Sequence, residues 1–452
     1  MKRSRWAVLV LAVLLVSLSV AALLPGTAGA AAGRTAVRAG AMVNDLYDVA
    51  SSGWSGAVAV GAGGTVIRTT DGGTTWEWPS PDAPIDFRNS FWDVGFDTAS
   101  GKGWVVGDRG AILATTDDGA TWNGNVSGGT WQLRDLCVVS GTTAYAVGGN
   151  LVKDPDFDQG VLLCTTDGGV SWNIVPVGDP AFTDPSLDAI QYGAVSVVGN
   201  RIWVLGWHYG TRYFIESANG GVSWLGMVDS EQMTDVVQVA PGDGHGYGIS
   251  GAEILATPNS WVSAGGTNVL QSLNDIDMVS AAIGWVVGNA GEIDHTDNAG
   301  GTWGIQAAGT TVRDLNGVDA IPGGAWAVGD YGTILYTTDG GTTWTPLSGP
   351  QDTTRPACYA TRKAACYRNK YVSLKYRVND KQSAVVKVRI KIKKLNGHTV
   401  KTLGWAQRST NIALSWRFKC RLAKGKYKYW VYATDLCGNT QSRIGKNYLT
   451  GT

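Results

Sequence analysis

Carboxylates at a recurring position are the first residues of this sequence that could do chemistry. Most follow an apolar strand residue by two places, and the set comprises Asp48, Asp93, Asp135, Asp188, Asp235 and Asp275. A ring of such carboxylates around a channel mouth would attract cations or a basic peptide. In the alternative role, each carboxylate accepts a hydrogen bond from the backbone of a neighbouring repeat. Regular recurrence favours this structural role, which we therefore expect.

A second set of carboxylates alternates with other residues in one loop. The segment contains Asp154, Asp156 and Asp158, followed by Gly160. Hard oxygen ligands at alternate positions suit Ca²⁺. However, the glycine comes one place later than in an EF-hand loop, and Thr165 occupies the place of the bidentate glutamate. We expect a solvated acidic loop, with a Ca²⁺ site as the alternative, and we expect no other cofactor. The scattered histidines give no metal-ligand spacing.

A third set lies in a recurring phrase that reads Thr-Thr-Asp-Gly-Gly-Thr-Thr-Trp in its fullest form. Its acidic position is filled by Asp71, Asp117, Asp167, Asn219, Asn298 and Asp339. Asparagine replaces aspartate in two copies, which a hydrogen-bonding role permits and a catalytic carboxylate does not. The glycines supply positive φ in a hairpin turn, and the carboxylate can accept N–H bonds across it. We therefore predict a structural role for this position.

The phrase recurs often enough to define the architecture. Its tryptophan falls at positions 76, 122, 172, 224, 261, 303 and 344, with a degenerate copy at 257–261. Spacings of 37 to 52 residues are the length of one propeller blade. Each unit also carries three short apolar segments, which together with the strand that begins at the tryptophan make four strands. The sequence predicts an all-β protein with a seven-bladed β-propeller over residues 42–349.

These motifs resemble known families. The phrase is similar to the Asp-box of bacterial neuraminidase repeats. Together with upstream segments such as Trp104-Val-Val-Gly107, it most resembles the photosystem II stability and assembly factor family. The resemblance implies a non-catalytic propeller that holds a membrane-protein partner during assembly. We accordingly expect a binding or scaffolding propeller that takes a protein or glycan partner.

A glycoside hydrolase is the alternative function, because Asp-boxes also occur in sialidases. A sialidase needs convergent arginines, a tyrosine activated by glutamate, and an acidic proton donor. The Phe/Tyr-Arg-Ile-Pro motif of that family is absent. Asp-box enzymes that cleave β-glucans resemble two tandem propellers around a cleft, whereas this chain has one. We therefore expect no enzymatic activity.

Charge divides the chain into two parts. Residues 31–350 contain 11 Lys and Arg against 34 Asp and Glu, whereas residues 351–452 contain 23 against 3. Before them, residues 1–30 combine basic residues, an apolar run and Ala28-Gly-Ala30, which predicts a cleaved signal peptide. An uncleaved membrane anchor is the alternative. We expect a secreted or envelope-associated protein, with a short N-terminal segment at 31–41.

The basic part is predicted to form a separate β-sandwich. Residues 350–356 read as a linker, and residues 357–452 contain strands with clean alternation that resemble an immunoglobulin-like or fibronectin-like domain. Basic residues at outward positions form a possible anion-binding face: Lys387, Arg389, Lys391, Lys393, Arg417 and Lys419. Its expected partner is an anionic envelope polymer or the acidic propeller itself. We expect no nucleic acid partner outside the cell.

Cysteines of the basic part are expected to be oxidised in an exported protein. Cys358, Cys366, Cys420 and Cys437 allow three connectivities, and proximity favours Cys358 with Cys366 and Cys420 with Cys437. In the propeller, Cys137 and Cys164 are predicted to lie on strands separated by another strand, too far apart to bond.

Overall fold

The computed structural model describes residues 44–53, 55–78, 89–149, 160–177, 190–208, 211–229, 231–238, 246–257, 262–263, 271–306 and 310–452. Short strands dominate these residues, and as far as residue 348 each strand pairs with the next along the chain within its own sheet. Within these ranges, helical structure is limited to single 3₁₀ turns at Ala62–Gly64, Asp108–Gly110, Asn289–Gly291 and Asp330–Gly332. Among the described residues, no helix has the length and apolar character that crossing a membrane requires.

Seven consecutive antiparallel sheets are formed by the described residues between 46 and 348. Sheet 1 consists of β1 (Leu46–Ser51), β2 (Ala57–Gly61) and β3 (Thr65–Thr69). Sheet 2 consists of β4 (Phe91–Asp97), β5 (Lys102–Gly107), β6 (Ala111–Thr115) and β7 (Asn123–Val126). Sheet 3 consists of β8 (Gln132–Ser140), β9 (Thr143–Gly149), β10 (Gly160–Thr165) and β11 (Asn173–Ile174). Sheet 4 consists of β12 (Gln191–Val198), β13 (Arg201–His208), β14 (Thr211–Ser217) and β15 (Leu225–Val228).

The remaining three sheets of this part repeat the pattern. Sheet 5 consists of β16 (Asp235–Gln238), β17 (Gly246–Ser250), β18 (Glu253–Ala256) and β19 (Val262–Ser263). Sheet 6 consists of β20 (Leu273–Met278), β21 (Gly284–Gly288), β22 (Ile293–Thr296) and β23 (Gly304–Ile305). Sheet 7 consists of β24 (Leu315–Ile321), β25 (Gly324–Gly329), β26 (Thr333–Thr337) and β27 (Thr345–Ser348). In sheet 1, an isolated bridge between Arg68 and Glu77 stands in place of a fourth strand.

The seven sheets form a closed ring. The first strand of each sheet contacts the first strand of the next, and β24 of sheet 7 contacts β1 of sheet 1. Second strands are apolar runs buried along their length, such as Gly284–Gly288, because a neighbouring sheet covers each of their faces. Closure leaves no first strand at an open edge, which protects the backbone from pairing with other chains. The predicted all-β propeller fold is confirmed.

Asp-box tryptophans fill the space between neighbouring sheets. Trp76 of sheet 1 lies in one core cluster with Trp326 of sheet 7, with the rings edge to face at 5.7 Å between centroids. Trp172 of sheet 3 lies in one core cluster with Trp104 of sheet 2. The tryptophan at the end of each phrase therefore attaches its hairpin to the preceding sheet, which explains its recurrence. Trp261, in the degenerate copy, lies outside the described residues.

The basic part forms two sheets that share one core. The three-stranded sheet contains β28 (Ala357–Ala360), β30 (Tyr371–Asn379) and β33 (Ala413–Lys419). The five-stranded sheet contains β29 (Ala364–Cys366), β31 (Val385–Lys394), β32 (Thr399–Ser409), β34 (Gly425–Asp435) and β35 (Gly445–Gly451). Alternate residues of both sheets, such as Leu374 and Ile390, are fully buried in a common cluster. The period-two pattern of the sequence follows from this packing.

The disulfide pairing predicted from proximity is wrong. Cys366, at the end of β29, is bonded to Cys420, which follows β33, with 5.8 Å between their Cα atoms. The bond therefore links the two sheets rather than closing a short local loop. The Cys358 thiol is buried on β28, and burial raises its pKa to about 12. Proximity in sequence fails here because residues close along the chain belong to different sheets.

Neutral residues join the propeller to the basic part. The Asn44 side chain donates to Thr65 of sheet 1 at 2.8 Å and to the Gln382 carbonyl at 2.9 Å. Its amide oxygen accepts the N–H of Ala384 at 2.8 Å. Gly63 has a φ of 63°, and a Cβ atom there would come within 2.7 Å of the Ala384 side chain. Glycine is therefore required at this turn both for its backbone and for the close approach.

Candidate functional site at the mouth of the central channel

Carboxylates of the first strands join neighbouring sheets around the ring. Asp48 of sheet 1 accepts the N–H of Val94 in sheet 2 at 2.9 Å. The same bond recurs in further acceptor and donor pairs: Asp93 and Leu136, Asp135 and Val195, Asp235 and Ile276, and Asp275 and Val318. At a second position, Asp277 accepts from Ala320, and Asp319 accepts from Ser51, which closes the ring. These bonds are those expected if the carboxylates have the structural role of joining neighbouring repeats. Attraction of cations or a basic peptide to the ring is not tested by them and stays a prediction.

Sheets 4 and 7 depart from the carboxylate pattern. The strand register places Ala194 of sheet 4 and Gly317 of sheet 7 at the position that holds the ring aspartate in sheets 1, 2, 3 and 6. Asp188, the predicted member from this repeat, lies outside the described residues. Among the described residues, the ring of carboxylates is therefore interrupted at sheets 4 and 7.

Burial in the ring changes the acidity of these carboxylates. Loss of hydration raises the pKa of Asp48 to about 6 and that of Asp235 to about 7. Burial and the neighbouring carboxylates also raise the pKa of Asp93 and Asp275 well above the usual range. The charged form is disfavoured because water is excluded and like charges are close.

A β-bulge precedes the ring position in the first strands. The pairing skips one residue between Leu46 and Asp48, and the same irregularity recurs in sheets 2, 3, 4, 6 and 7. The skipped residues are Tyr47, Trp92, Arg134, Gly193, Asn274 and Asn316. All of them line a cavity of about 170 Å³ at the end of the channel. Bulges redirect the chain, and here they bring one residue from each of these six sheets to the channel mouth.

Aromatic rings and arginines form a ladder across one half of this mouth. Tyr47 stacks on Trp92 with 4.5 Å between ring centroids. Arg134 lies over Trp92 at 5.8 Å and over Trp207 at 5.4 Å. Arg212 lies over Trp207 at 5.7 Å, which completes the stacking ladder. Arginine is held here by cation–π attraction on tryptophan faces, which leaves guanidinium donors for a ligand.

Other side chains fix the ladder in place. The indole N–H of Trp92 donates to Asp108 at 2.9 Å, and Gln132 donates to the same carboxylate at 3.1 Å. Arg134 donates to the Gln132 side chain at 2.7 Å. A Cβ atom on Gly193 would lie 2.4 Å from the Trp207 ring. Glycine at the bulge of sheet 4 therefore makes the space that Trp207 occupies.

A larger cavity opens beside the stacking ladder. Its volume is about 550 Å³, and its lining includes Trp92, Arg134, Trp207, Arg212, Gln232 and Thr234. Aromatic walls with a few charged and amide groups are typical of sites that bind a ligand with defined orientation. Tryptophan and arginine are also the residues that contribute most to protein interfaces. No recurring residue type marks this site in the sequence, because the bulge residues differ in type from one repeat to the next.

The predicted Asp-box residues lie in the hairpins between third and fourth strands. Asp71 accepts the N–H and the hydroxyl of Thr75 at 2.8 and 2.7 Å, and Thr69 donates to it at 2.9 Å. Equivalent bonds are made by Asp117, Asp167, Asn219, Asn298 and Asp339. The N–H of Thr75 and its hydroxyl lower the pKa of Asp71. The predicted structural role is consistent with these bonds.

The predicted anion-binding residues do not share one surface. Lys387, Arg389, Lys391 and Lys393 lie on β31 of the five-stranded sheet. Arg417 and Lys419 lie on β33 of the three-stranded sheet. Because the two sheets bury their facing sides in a common core, their outer faces are separate surfaces.

The proposed calcium loop lies outside the described residues, since Asp154, Asp156 and Asp158 fall between 149 and 160. Within the described ranges, no three His, Cys, Asp or Glu side chains are grouped so that they could hold a metal ion. Cys137 and Cys164 pair with opposite sides of Tyr145 on β9, so a strand separates them.

Comparison with known proteins finds similar repeats and a similar fold. The family model described as photosynthesis system II assembly factor YCF48 matches residues 41–127 and 253–353. The structure described as YCF48 bound to D1 peptide is 18% identical, with a TM-score of 0.50, and the alignment covers 65% of this chain and 93% of that one. YCF48 from Cyanidioschyzon merolae is 16% identical, with a TM-score of 0.50 and coverage of 65% and 95%. No curated protein sequence matches the chain. The predicted resemblance of the repeats is confirmed.

Proposed function

We propose that this propeller, which is similar to photosystem II assembly factors in its repeats and fold, is a non-catalytic binding protein that holds a segment of a protein partner at its channel mouth. The observation that carries the proposal is the stacking ladder from Tyr47 to Arg212. The similar solved protein YCF48 is bound to a D1 peptide. For the present chain, we describe the partner by its chemistry alone. It is a peptide whose carbonyl or carboxylate groups accept hydrogen bonds from the arginines and whose apolar groups pack on the aromatic rings.

Two arginines on tryptophan faces are unusual in a part of the chain with 11 basic and 34 acidic residues. Arg134 is partly buried, and loss of hydration lowers its pKa, although nearby Asp108 opposes the shift. A guanidinium whose hydration is already reduced loses less on binding a carbonyl or carboxylate of a peptide. The aromatic rings beside it supply apolar contact area at small entropic cost.

The carboxylates nearest the mouth support binding rather than catalysis. In each of the described bonds, one oxygen of the ring aspartate accepts a backbone N–H of the next sheet, as Asp48 does from Val94. A general acid or a nucleophile of a glycoside hydrolase must reach the substrate instead. Turnover on a panel of glycans tests the alternative function, and measurable hydrolysis that Asp48→Asn or Asp93→Asn removes would overturn the non-catalytic proposal.

We further propose that the protein is exported and that its basic part contacts an anionic component of the cell envelope. The apolar run after the basic N-terminus supports export. Docking of the basic face on the acidic propeller is the competing idea. Asn44, Gln382 and Ala384, which join the two parts, are uncharged. A joint of neutral residues leaves the basic faces accessible.

Site-directed photo-crosslinking in producing cells tests the propeller site. A photoreactive residue replaces Gln232, which is exposed and lines the mouth cavity. The expected result is one crosslinked protein that disappears when Arg134→Ala is added. The matched control places the photoreactive residue at exposed Thr121 in an Asp-box hairpin, where no such product is expected. A product from Gln232 that persists with both Arg134→Ala and Trp207→Ala would contradict the proposed site.

A further inference from the structure

The outer face of the five-stranded sheet combines cations with aromatic rings in a regular pattern. Val386, Val388, Ile390 and Ile392 of β31 are fully buried, so the residues between them point outward. In the register, Arg389 lies beside Tyr432, and Lys391 lies beside Trp430 of β34. Trp430 in turn lies beside Lys446 of β35. Basic and aromatic side chains therefore alternate across three strands.

Ring faces hold these cations in position. Arg389 lies 4.4 Å from the centroid of Trp405 and 5.8 Å from that of Tyr432. Two ammonium groups flank Trp430, with Lys393 at 4.6 Å and Lys446 at 4.3 Å. Two more flank Tyr448, with Lys428 at 5.0 Å and Lys363 at 5.9 Å. Cation–π attraction restricts long side chains that would otherwise move freely in solvent.

No carboxylate of this part neutralises the face. Residues 351–452 contain three acidic residues, which are Asp352, Asp380 and Asp435. Each is buried and accepts N–H bonds from the backbone, as Asp380 does from Gln382 and Ser383. The three acids therefore stabilise the fold, and within residues 351–452, all of which the structure describes, none of them forms an ion pair with the cations of the outer face. These cations can bind an anionic ligand.

We propose that this outer face binds an acidic polysaccharide, a linear glycan with repeated carboxylate or phosphate groups. The inference rests on the proposed contact with an anionic envelope component and names its substrate class. Outward residues recur along a strand every 6.6–6.8 Å or so, and neighbouring strands lie about 4.8 Å apart. A row of cations at this spacing matches a polymer with repeated charges better than a single anion.

A groove at one end of the face favours a glycan over a lipid surface. Its volume is about 500 Å³, and its lining consists of Lys387, Trp405, Ala406, Gln407 and Thr434. Trp405 is 47% exposed although Arg389 covers part of it. The C–H face of a sugar ring packs on an indole, while its hydroxyls bond to amide and hydroxyl groups. An aromatic wall with polar neighbours is the arrangement that this requires.

Binding of the full-length mature protein to defined polymers tests the inference. The probes are polygalacturonate for carboxylates, phosphomannan for phosphodiesters, neutral dextran, and vesicles that contain phosphatidylglycerol. We expect binding to at least one acidic glycan, with no binding to dextran and with affinity that falls as salt increases. Binding to vesicles with none to either acidic glycan would overturn the inference in favour of a membrane surface.

Charge reversal on the two sheets supplies a matched comparison. The triple variant Lys387→Glu, Lys391→Glu, Lys393→Glu changes the five-stranded sheet, and Lys375→Glu, Arg417→Glu, Lys419→Glu makes the same charge change on the three-stranded sheet. We expect at least a tenfold loss of glycan affinity from the first variant and less than threefold from the second. Equal losses would contradict a defined face. The single variant Trp405→Ala, which keeps all charges, is expected to weaken glycan binding at least threefold, and an unchanged affinity would contradict the sugar groove.

Isolated envelopes separate failure of this inference from failure of the proposed function. If the protein does not bind envelopes, the proposed envelope contact is wrong, and the inference that rests on it is wrong too. If it binds envelopes and the three-stranded variant removes that binding, the envelope contact stands and the assigned face is wrong. Loss of envelope binding in the five-stranded variant alone supports both.

Discussion

The two halves of the channel mouth fill the same register position with residues that have different roles. In sheets 6 and 7, the bulge residues are Asn274 and Asn316, which donate to the carbonyls of Leu315 and Leu46 in the next sheet at 2.7 and 2.9 Å. In sheets 1 to 3, the same register position holds Tyr47, Trp92 and Arg134. Tyr47 stacks on Trp92, and Arg134 lies over the Trp92 ring. The asparagines attach neighbouring sheets, whereas the ladder residues present rings and a guanidinium to the mouth cavity.

This difference distinguishes residues with a structural role from residues expected to bind a ligand, which recurrence in the sequence alone does not. An asparagine at the bulge is a sufficient way to join two sheets, as sheets 6 and 7 demonstrate. Replacement of that residue by tyrosine, tryptophan and arginine in sheets 1 to 3 gives up this bond. Residues that depart from a repeated structural pattern are those expected at a functional site.

The largest expected effect on stability comes from the asparagine half. Asn316→Ala removes a bond that joins sheet 7 to sheet 1 and leaves the Leu46 carbonyl without this donor. We expect a loss of about 1–3 kcal/mol in the free energy of unfolding, the usual cost of an unmade buried bond. Chemical denaturation measures it. Partner binding should be unchanged. If Asn316→Ala kept the stability of the wild type and lost partner binding, the structural role of the asparagine half would be wrong.

A smaller effect is expected in the Asp-box hairpins, for which we predict a structural role. The buried hydroxyl of Thr165 accepts the N–H of Gly169 at 2.8 Å and donates to Asp167 at 2.8 Å. Thr165→Val keeps the shape and removes both bonds, so we expect a loss of about 1–2 kcal/mol. Thr121→Val, which changes an exposed hydroxyl of a neighbouring hairpin, is the milder control. Equal stability of Thr165→Val and wild type in denaturation would contradict the structural role.

The smallest effect is a pH dependence that distinguishes the ring from the Asp-box carboxylates. The pKa values of Asp48 and Asp235 rise to about 6 and about 7 in the folded chain, above the ordinary value near 4. Their contribution to stability is therefore fully present below about pH 4 and is lost as the pH rises through 6 to 7. The pKa of Asp167 falls to about 2 because Ser171 donates to it, so its contribution is lost only below about pH 4.

Melting temperatures across pH test this assignment. We expect a higher melting temperature at pH 5 than at pH 8, and a flatter profile between them in the double variant Asp48→Asn, Asp235→Asn. A profile that rises from pH 5 to pH 8 in the wild type, or the same slope in both proteins, would show that the ring carboxylates are not the titrating groups.

Recurrence in the sequence predicted the fold and located the ring and Asp-box carboxylates, because backbone bonds repeat with the repeat. It could not predict the stacking ladder, since Tyr47, Trp92 and Arg134 share a register position and not a residue type. The available signal was the residue immediately before each ring aspartate. The disulfide between Cys366 and Cys420 was missed because it depends on how two sheets face each other. For the same reason, Lys391 and Arg417 were assigned to one face although they belong to different sheets.

The most direct test of the central claim is the affinity of the crosslinked partner's peptide for matched variants of the two halves. Calorimetry compares wild type with Arg134→Ala and Gly193→Ala on the ladder side and Asn274→Ala on the asparagine side. We expect at least tenfold weaker binding for both ladder variants and less than a twofold change for Asn274→Ala. Gly193→Ala should weaken binding because its Cβ atom displaces Trp207, although no charge changes. Unchanged affinity in both ladder variants, or an equal loss in Asn274→Ala, would contradict the proposed binding site.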